Sequence, residues 1–188
     1  KQELFSKVEF VFGLIISEHA ESRQAARNAL RGVTLSSERT ELVCARLTAH
    51  LLAITSDNED IAADICDTML LVFAAQLRTI SETVIRDLLA SDLAIVQRFA
   101  GDLIQQHDEL SKHPPQDIVQ SLLDSEHALV RAAGVRIIFQ LPDDVLKDCL
   151  ELLIALTRHV HPDVRSEIRS AVIRLTSNFC LQMGTHWT

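Results

Sequence analysis

The sequence predicts an all-α protein, a right-handed α-α superhelix (solenoid) of about five helical hairpins. Three observations carry that expectation. Apolar columns recur every 34 residues: Leu51, Ile85, Val119 and Leu153 form one, and Ile54, Leu88, Leu122 and Leu156 a second. Ala62, Val96, Val130 and Val164 form a third, and Leu70, Ile104, Ile138 and Val172 a fourth. Self-similarity at a period of about 20 to 50 residues marks a stacked array, in which each unit buries its apolar face only against its neighbours. Five glycines, four prolines and no Tyr in 188 residues are too few for an all-β fold full of tight turns. Finally, 47% hydrophobic residues supply a continuous helical core.

The columns divide the chain into units of about 1–36, 37–79, 80–110, 111–141 and 142–180, with 181–188 as a tail that has lost the periodicity. The first unit opens with Leu4 to Ile16, the most apolar stretch, interrupted by Lys7 and Glu9. It is too short to span a bilayer and has no small-residue cleavage site, so membrane insertion and a signal peptide are both excluded as readings. A helix this apolar on several sides suits a place with a neighbour before it, and the chain starts with Lys1, so a segment of a larger protein is expected.

The series is clear from Ser17-Glu18-His19-Ala20-x-x-Arg23-x-Ala25, which recurs as Ser125-Glu126-His127-Ala128-x-x-Arg131-x-Ala133. However, Val11 and Leu14 precede Leu51 and Ile54 by 40 residues and not 34. The six additional residues fall around Arg31 to Glu38, where a longer loop is expected.

In the second unit Leu42, Val43, Leu47, Leu51 and Ile54 place one helix over Glu38 to Ile54. Thr55-Ser56-Asp57-Asn58 breaks it, and the next helix, about Glu59 to Leu77, opens with Glu59, Asp60 and Asp64, where the helix dipole favours acids. The third unit pairs Ser81 to Ala90 with Leu93 to His107 around Ser91-Asp92, Ser81 being a capping residue. Pro114-Pro115 closes a polar loop that starts at Asp108. The fourth unit runs from Gln116 to Gln140 and stops at Leu141-Pro142. The fifth pairs Asp143 to Arg158 with Pro162 to Phe179, the proline suiting a first helical turn.

The second helices carry a family resemblance. His161-Pro162-Asp163-Val164-Arg165, followed by Ile168 and Ala171-Val172, resembles the D-P-x-V-R-x-x-A-x-x-A-L motif of HEAT repeats. Val130-Arg131 with Ala133-Gly134, and Arg23 through Leu30, resemble it too. The third unit shifts the arginine by one, in Val96-Gln97-Arg98, and the second has Ala62-Ala63 in place of Val-Arg. The period is shorter than usual for this family and equals that of tetratricopeptide repeats, whose Trp, Gly, Tyr and Pro pattern is missing here. A short HEAT-like array over residues 1–180 is therefore the expectation. The resemblance implies first helices on a convex side and second helices on a concave one.

Composition narrows the function. The net charge is −8, from 26 acidic and 18 basic residues, which disfavours a nucleic-acid footprint spread over the whole surface. Cys44, Cys66, Cys149 and Cys180 are scattered without any C-x-x-C pair, which fits free thiols in a reducing compartment. An intracellular location follows, cytoplasmic, with the nucleus left open. No phosphate-binding glycine loop or nucleophile elbow is present, so the expectation is that the chain is not an enzyme and carries no cofactor. Asp57-Asn58-Glu59-Asp60 lacks the glycine and glutamate of a calcium loop. His159 and His161 lie two apart and share no helical face with a further ligand, so no metal site is expected.

The arginines on second helices remain as candidates for contact with a partner: Arg23, Arg27, Arg31, Arg98, Arg131, Arg136, Arg165 and Arg169. Arg23, Arg27 and Arg31 are spaced by four and lie along one helix face. On a concave surface such a ridge suits an acidic peptide or nucleic-acid phosphate. The same arginines can instead pair with acids of adjacent units and hold the stack together. The expected function is a protein–protein interaction scaffold, with a protein partner. The alternative is a nucleic-acid-binding HEAT-like domain, of the kind found in repair enzymes, that uses these arginines.

Overall fold

The computed structural model describes residues 8–33, 35–170 and 172–173. The expected tail, 181–188, and the expected helix beyond residue 173 lie outside them. Among the described residues the protein is all-helical, with helices packed against one another and no strand. Packing divides the chain into two units, Lys1–Asp108 and Glu109–Thr188.

The first unit contains α1 (Val8–Ile15), α2 (Ala20–Leu30), α3 (Ser37–Ala53), a 3-10 turn (Ser56–Asn58), α4 (Glu59–Val72), α5 (Ala74–Leu77), α6 (Glu82–Leu89) and α7 (Ala94–Gln106). Helices consecutive in sequence pack as pairs, α1 on α2, α3 on α4 and α6 on α7. The pairs then join in two layers, with α1, α3 and α6 packed in succession and α2, α4 and α7 likewise. The cause is the period itself, because a helix pair has an apolar seam inside it and a further face to cover with the next pair.

The second unit contains α8 (Gln116–Asp124), α9 (Ala128–Gln140), α10 (Asp143–Asp148), α11 (Leu150–Leu156) and a helix over 162–170, called α12. Helices α8 and α9 approach closely at Gly134. A Cβ there would lie 3.0 Å from Leu122 Cβ and 3.1 Å from Leu123 Cδ2.

The predicted columns are the core. Leu51, Ile85, Val119 and Leu153 are buried, and so are Ala62, Val96, Val130 and Val164. Ile54, Leu70 and Val172 are only half-buried. Leu42, expected on the core face of its helix, is 50% exposed. It precedes Val43 on a helix whose buried stripe runs through Val43, Leu47 and Leu51, and only one of the adjacent pair can face inward.

Two helices expected to be continuous are interrupted. The first breaks at Phe73, fully buried, with φ −111° and ψ 21°. The second breaks at Cys149, with φ −93° and ψ 11°. In both cases one residue closes one helix and opens the next: the Phe73 amide donates to the Met69 carbonyl and the Phe73 carbonyl accepts from the Leu77 amide, and Cys149 likewise donates to Val145 and accepts from Leu153. A single shared cap residue separates the helices at each place, with no glycine or proline to mark it in the sequence.

Candidate functional site

Three of the arginines read from the sequence sit in one recurrent corner. At the end of α1 the Ser17 hydroxyl accepts a hydrogen bond from the His19 amide at 3.2 Å, which turns the chain into α2. Arg23, on the first turn of α2, reaches back, and its Nη1 donates to the carbonyls of Ser17 at 2.8 Å and Glu18 at 3.1 Å. The second unit repeats the arrangement between α8 and α9. Ser125 accepts from the His127 amide at 3.2 Å, and Arg131 Nη1 donates to the carbonyls of Ser125 and Glu126, both at 2.9 Å. Before α12, Arg165 Nη1 donates to the carbonyls of His159 at 2.6 Å and Val160 at 2.8 Å. His159 takes the serine's place there, and its Nδ1 accepts from the His161 amide at 3.3 Å.

The remaining corners show what the arginine supplies. Between α6 and α7, Ser91 still accepts from the Leu93 amide, and Gln97 donates to the Ser91 carbonyl at 2.7 Å. The side chain is neutral, yet it holds the same place, six residues on. Between α3 and α4 the place falls to Ala63, and the connection is the 3-10 turn. Sequence reading missed the corner as a unit. Its signal was the common register of Ser17, Ser91, Ser125 and His159, each followed six residues later by Arg or Gln.

The same guanidinium groups also tie consecutive helix pairs. Arg23, only 2% exposed, places Nε 2.6 Å from Asp64 and Nη2 2.7 Å from Asp60, both on α4. Arg27 donates to the Asp64 carboxylate at 2.6 Å, to the Asp64 carbonyl and to the Thr68 hydroxyl. Arg131 binds Asp163 of the fifth repeat at 2.8 Å. Burial acts against the Arg23 charge, but hydrogen bonds and attraction from Asp64 and Asp60 outweigh it and raise its pKa above the ordinary value. Burial likewise pushes against ionised Asp64 and Asp163, and the arginines facing them nevertheless hold both carboxyls below the usual range.

The other candidates are placed differently. Arg31, Arg136 and Arg169 are exposed. Arg98 is half-buried on α7 with Nε 3.6 Å from Asp102, beyond hydrogen-bond range, and that nitrogen is buried without a hydrogen-bond partner. Arg131 and Arg136 meet in a groove of about 470 Å³ between α9 and α12, floored by Val135, Phe139 and Val164. The structure thus gathers Arg23 with Arg27, and Arg131 with Arg136, and leaves Arg31 and Arg169 apart.

Histidines serve the same framework. His159 Nε2 lies 2.8 Å from the Asp124 carboxylate, and because its Nδ1 accepts, Nε2 carries the proton. Asp124 is held below the usual carboxyl range, first by the Gln120 amide and, against burial, by His159 as well. His107, half-buried at the end of α7, has Nε2 3.0 Å from the Ile80 carbonyl. Among the described residues no three His, Cys, Asp or Glu side chains are grouped to hold a metal ion. Burial pushes the Cys44 thiol up to about 11 and the Cys66 thiol up to about 12, while Cys149 is half-buried.

Helix pairs joined by recurrent corners and tied by guanidinium–carboxylate contacts define the class: an all-α protein whose buried charges hold neighbouring helices together. No protein-family model, curated protein or solved structure matches this chain. No helix among the described residues is long and apolar enough to cross a membrane.

Proposed function

We propose that this chain is a protein–protein interaction scaffold, a short HEAT-like helical array that belongs to a larger protein or complex. One observation carries the reading. Arg23, Arg27, Arg131 and Arg165 spend their donors inside the framework, whereas large apolar side chains stand exposed, among them Leu42, Leu52, Leu71, Leu129 and Ile154. Buried ion pairs favour one arrangement of helices, and exposed apolar surface favours a protein partner. In this reading the role is binding without catalysis. The buried free thiols Cys44 and Cys66 suit a reducing cytoplasm.

The test is cross-linking of the purified 188-residue chain in cell extract, followed by identification of the captured proteins. The scaffold reading expects a reproducible protein partner. It is overturned by the absence of one together with saturable nucleic-acid binding that weakens as salt rises, the mark of phosphate recognition.

A further inference from the structure

Helix α3 presents a face unlike those of its counterparts. From Glu41 onward its exposed residues are Glu41, Leu42, Ala45, Ala49, Leu52 and Ala53, so the only charge among them comes at the start. In the 34-residue register Ala49 corresponds to Thr83 and Asp117, Leu52 to Arg86 and Gln120, and Ala53 to Asp87 and Ser121. The positions that carry polar side chains on α6 and α8 are thus apolar on α3. Beside this face runs a groove of about 370 Å³, with Ala45, Ala49 and Leu52 on one wall and Gln76, Ile80 and Val84 on the other. The two alanines leave room for a close helical approach.

We propose that this groove receives an amphipathic helix of a partner protein, with a small or aliphatic seam flanked by Lys and Arg. The proposal rests on the scaffold reading and names its contact surface. Charge selects the partner. Glu41 is the one charged residue among the described residues lining the groove, and exposed Asp87 lies three residues beyond Val84 on α6. The unit Lys1–Asp108 carries 16 acidic residues against 10 basic ones. A second copy of the chain would bring the same acidic rim to the contact, whereas basic flanks complement it. A helix laid in the groove would set its own anchors, at i, i+3 or i+4, and i+7, along Ala45, Ala49 and Leu52.

The experiment is a selection from a displayed library of helical peptides against the complete 188-residue chain, with Ala49→Arg as counter-selection. Arginine at this exposed helix position fills the groove and offsets the charge of Glu41, while keeping good helix propensity. Enriched helices should carry the apolar seam with basic flanks and should bind Ala49→Arg at least about tenfold more weakly, with the helical circular dichroism of the variant unchanged. If Ala49→Arg does not fold, Leu52→Gln takes its place. No enrichment, acidic flanks in the enriched helices, or equal binding to both chains would overturn the proposal. So would light scattering that shows a dimer dissociated by Ala49→Arg. Cross-linking in extract separates the two levels: a partner captured equally by wild type and Ala49→Arg overturns the groove and leaves the scaffold, and no partner for either, together with salt-sensitive nucleic-acid binding, removes the scaffold.

Discussion

Replacing Arg23 by Lys keeps the charge and removes the fork. The guanidinium serves four acceptors on two sides, the carbonyls of Ser17 and Glu18 behind it and the carboxylates of Asp60 and Asp64 ahead. A single ammonium at the end of a flexible stem can satisfy one side only. Bonds to charged groups contribute about 1.5–3 kcal/mol each, and the Asp60 side chain, 69% exposed, recovers much of its share from water. Counting the Asp64 bond nearly in full and the two carbonyl bonds in part, Arg23→Lys should destabilise the protein by about 3 kcal/mol. For a chain of 188 residues that corresponds to a fall in Tm of about 6–12 °C. Urea and thermal unfolding followed by circular dichroism measure it, with exposed Arg169→Lys as a control expected to stay within about 0.5 kcal/mol. A loss below about 0.5 kcal/mol for Arg23→Lys would show that the two-sided fork does not hold these helices.

Other expectations follow from the same contacts. Asp64 and Asp163 have depressed carboxyl pKa values, so their contribution is present above the unfolded-state value of about 4 and is lost as pH falls through the folded values. Asp64→Asn should flatten the acid limb of a stability–pH curve measured by urea unfolding, and an unchanged limb would count against the tie. Gly134→Ala should destabilise by about 1 kcal/mol, because the Cβ meets Leu122 and Leu123 at 3.0–3.1 Å. Gly13→Ala, where nothing lies within 4 Å, should stabilise α1 by about 0.5–1 kcal/mol, and equal signs for the two variants in thermal melts would refute the packing argument. In native protein at pH 8, iodoacetamide should label Cys149 well before Cys44 and Cys66, whose burial raises the thiols to about 11 and about 12. Peptide mapping by mass spectrometry reads the order.

The all-helical class and the core columns were legible because burial follows period, and period is a property of sequence alone. Val96, Val130 and Val164 are buried for the reason that put them 34 residues apart. The breaks at Phe73 and Cys149 were not legible, since each is made by a single shared cap residue whose type carries no turn signal. The placing of Leu42 was lost for a related reason: adjacent Leu42 and Val43 both suit a helix seam, and only packing against neighbours chooses between them. For the arginines, spacing showed that Arg23 and Arg27 share a face but not what they meet. Their partners Asp60 and Asp64 lie on another helix, across the six-residue insertion that obscures the register. The corner formed by Ser17 and Arg23 was written in the sequence twice, with Ser125 and Arg131, yet its bonds involve backbone carbonyls, to which residue identity gives no clue.

The ties also have a direction along the chain. In each buried guanidinium–carboxylate contact the arginine comes first and the acid follows 32 to 41 residues later: Arg23 before Asp60 and Asp64, Arg27 before Asp64, Arg131 before Asp163. During synthesis the positive group therefore leaves the ribosome before its counter-charge does. The pairs α1/α2 and α8/α9 thus hold their cations in water until α4 and α12, respectively, arrive to receive them.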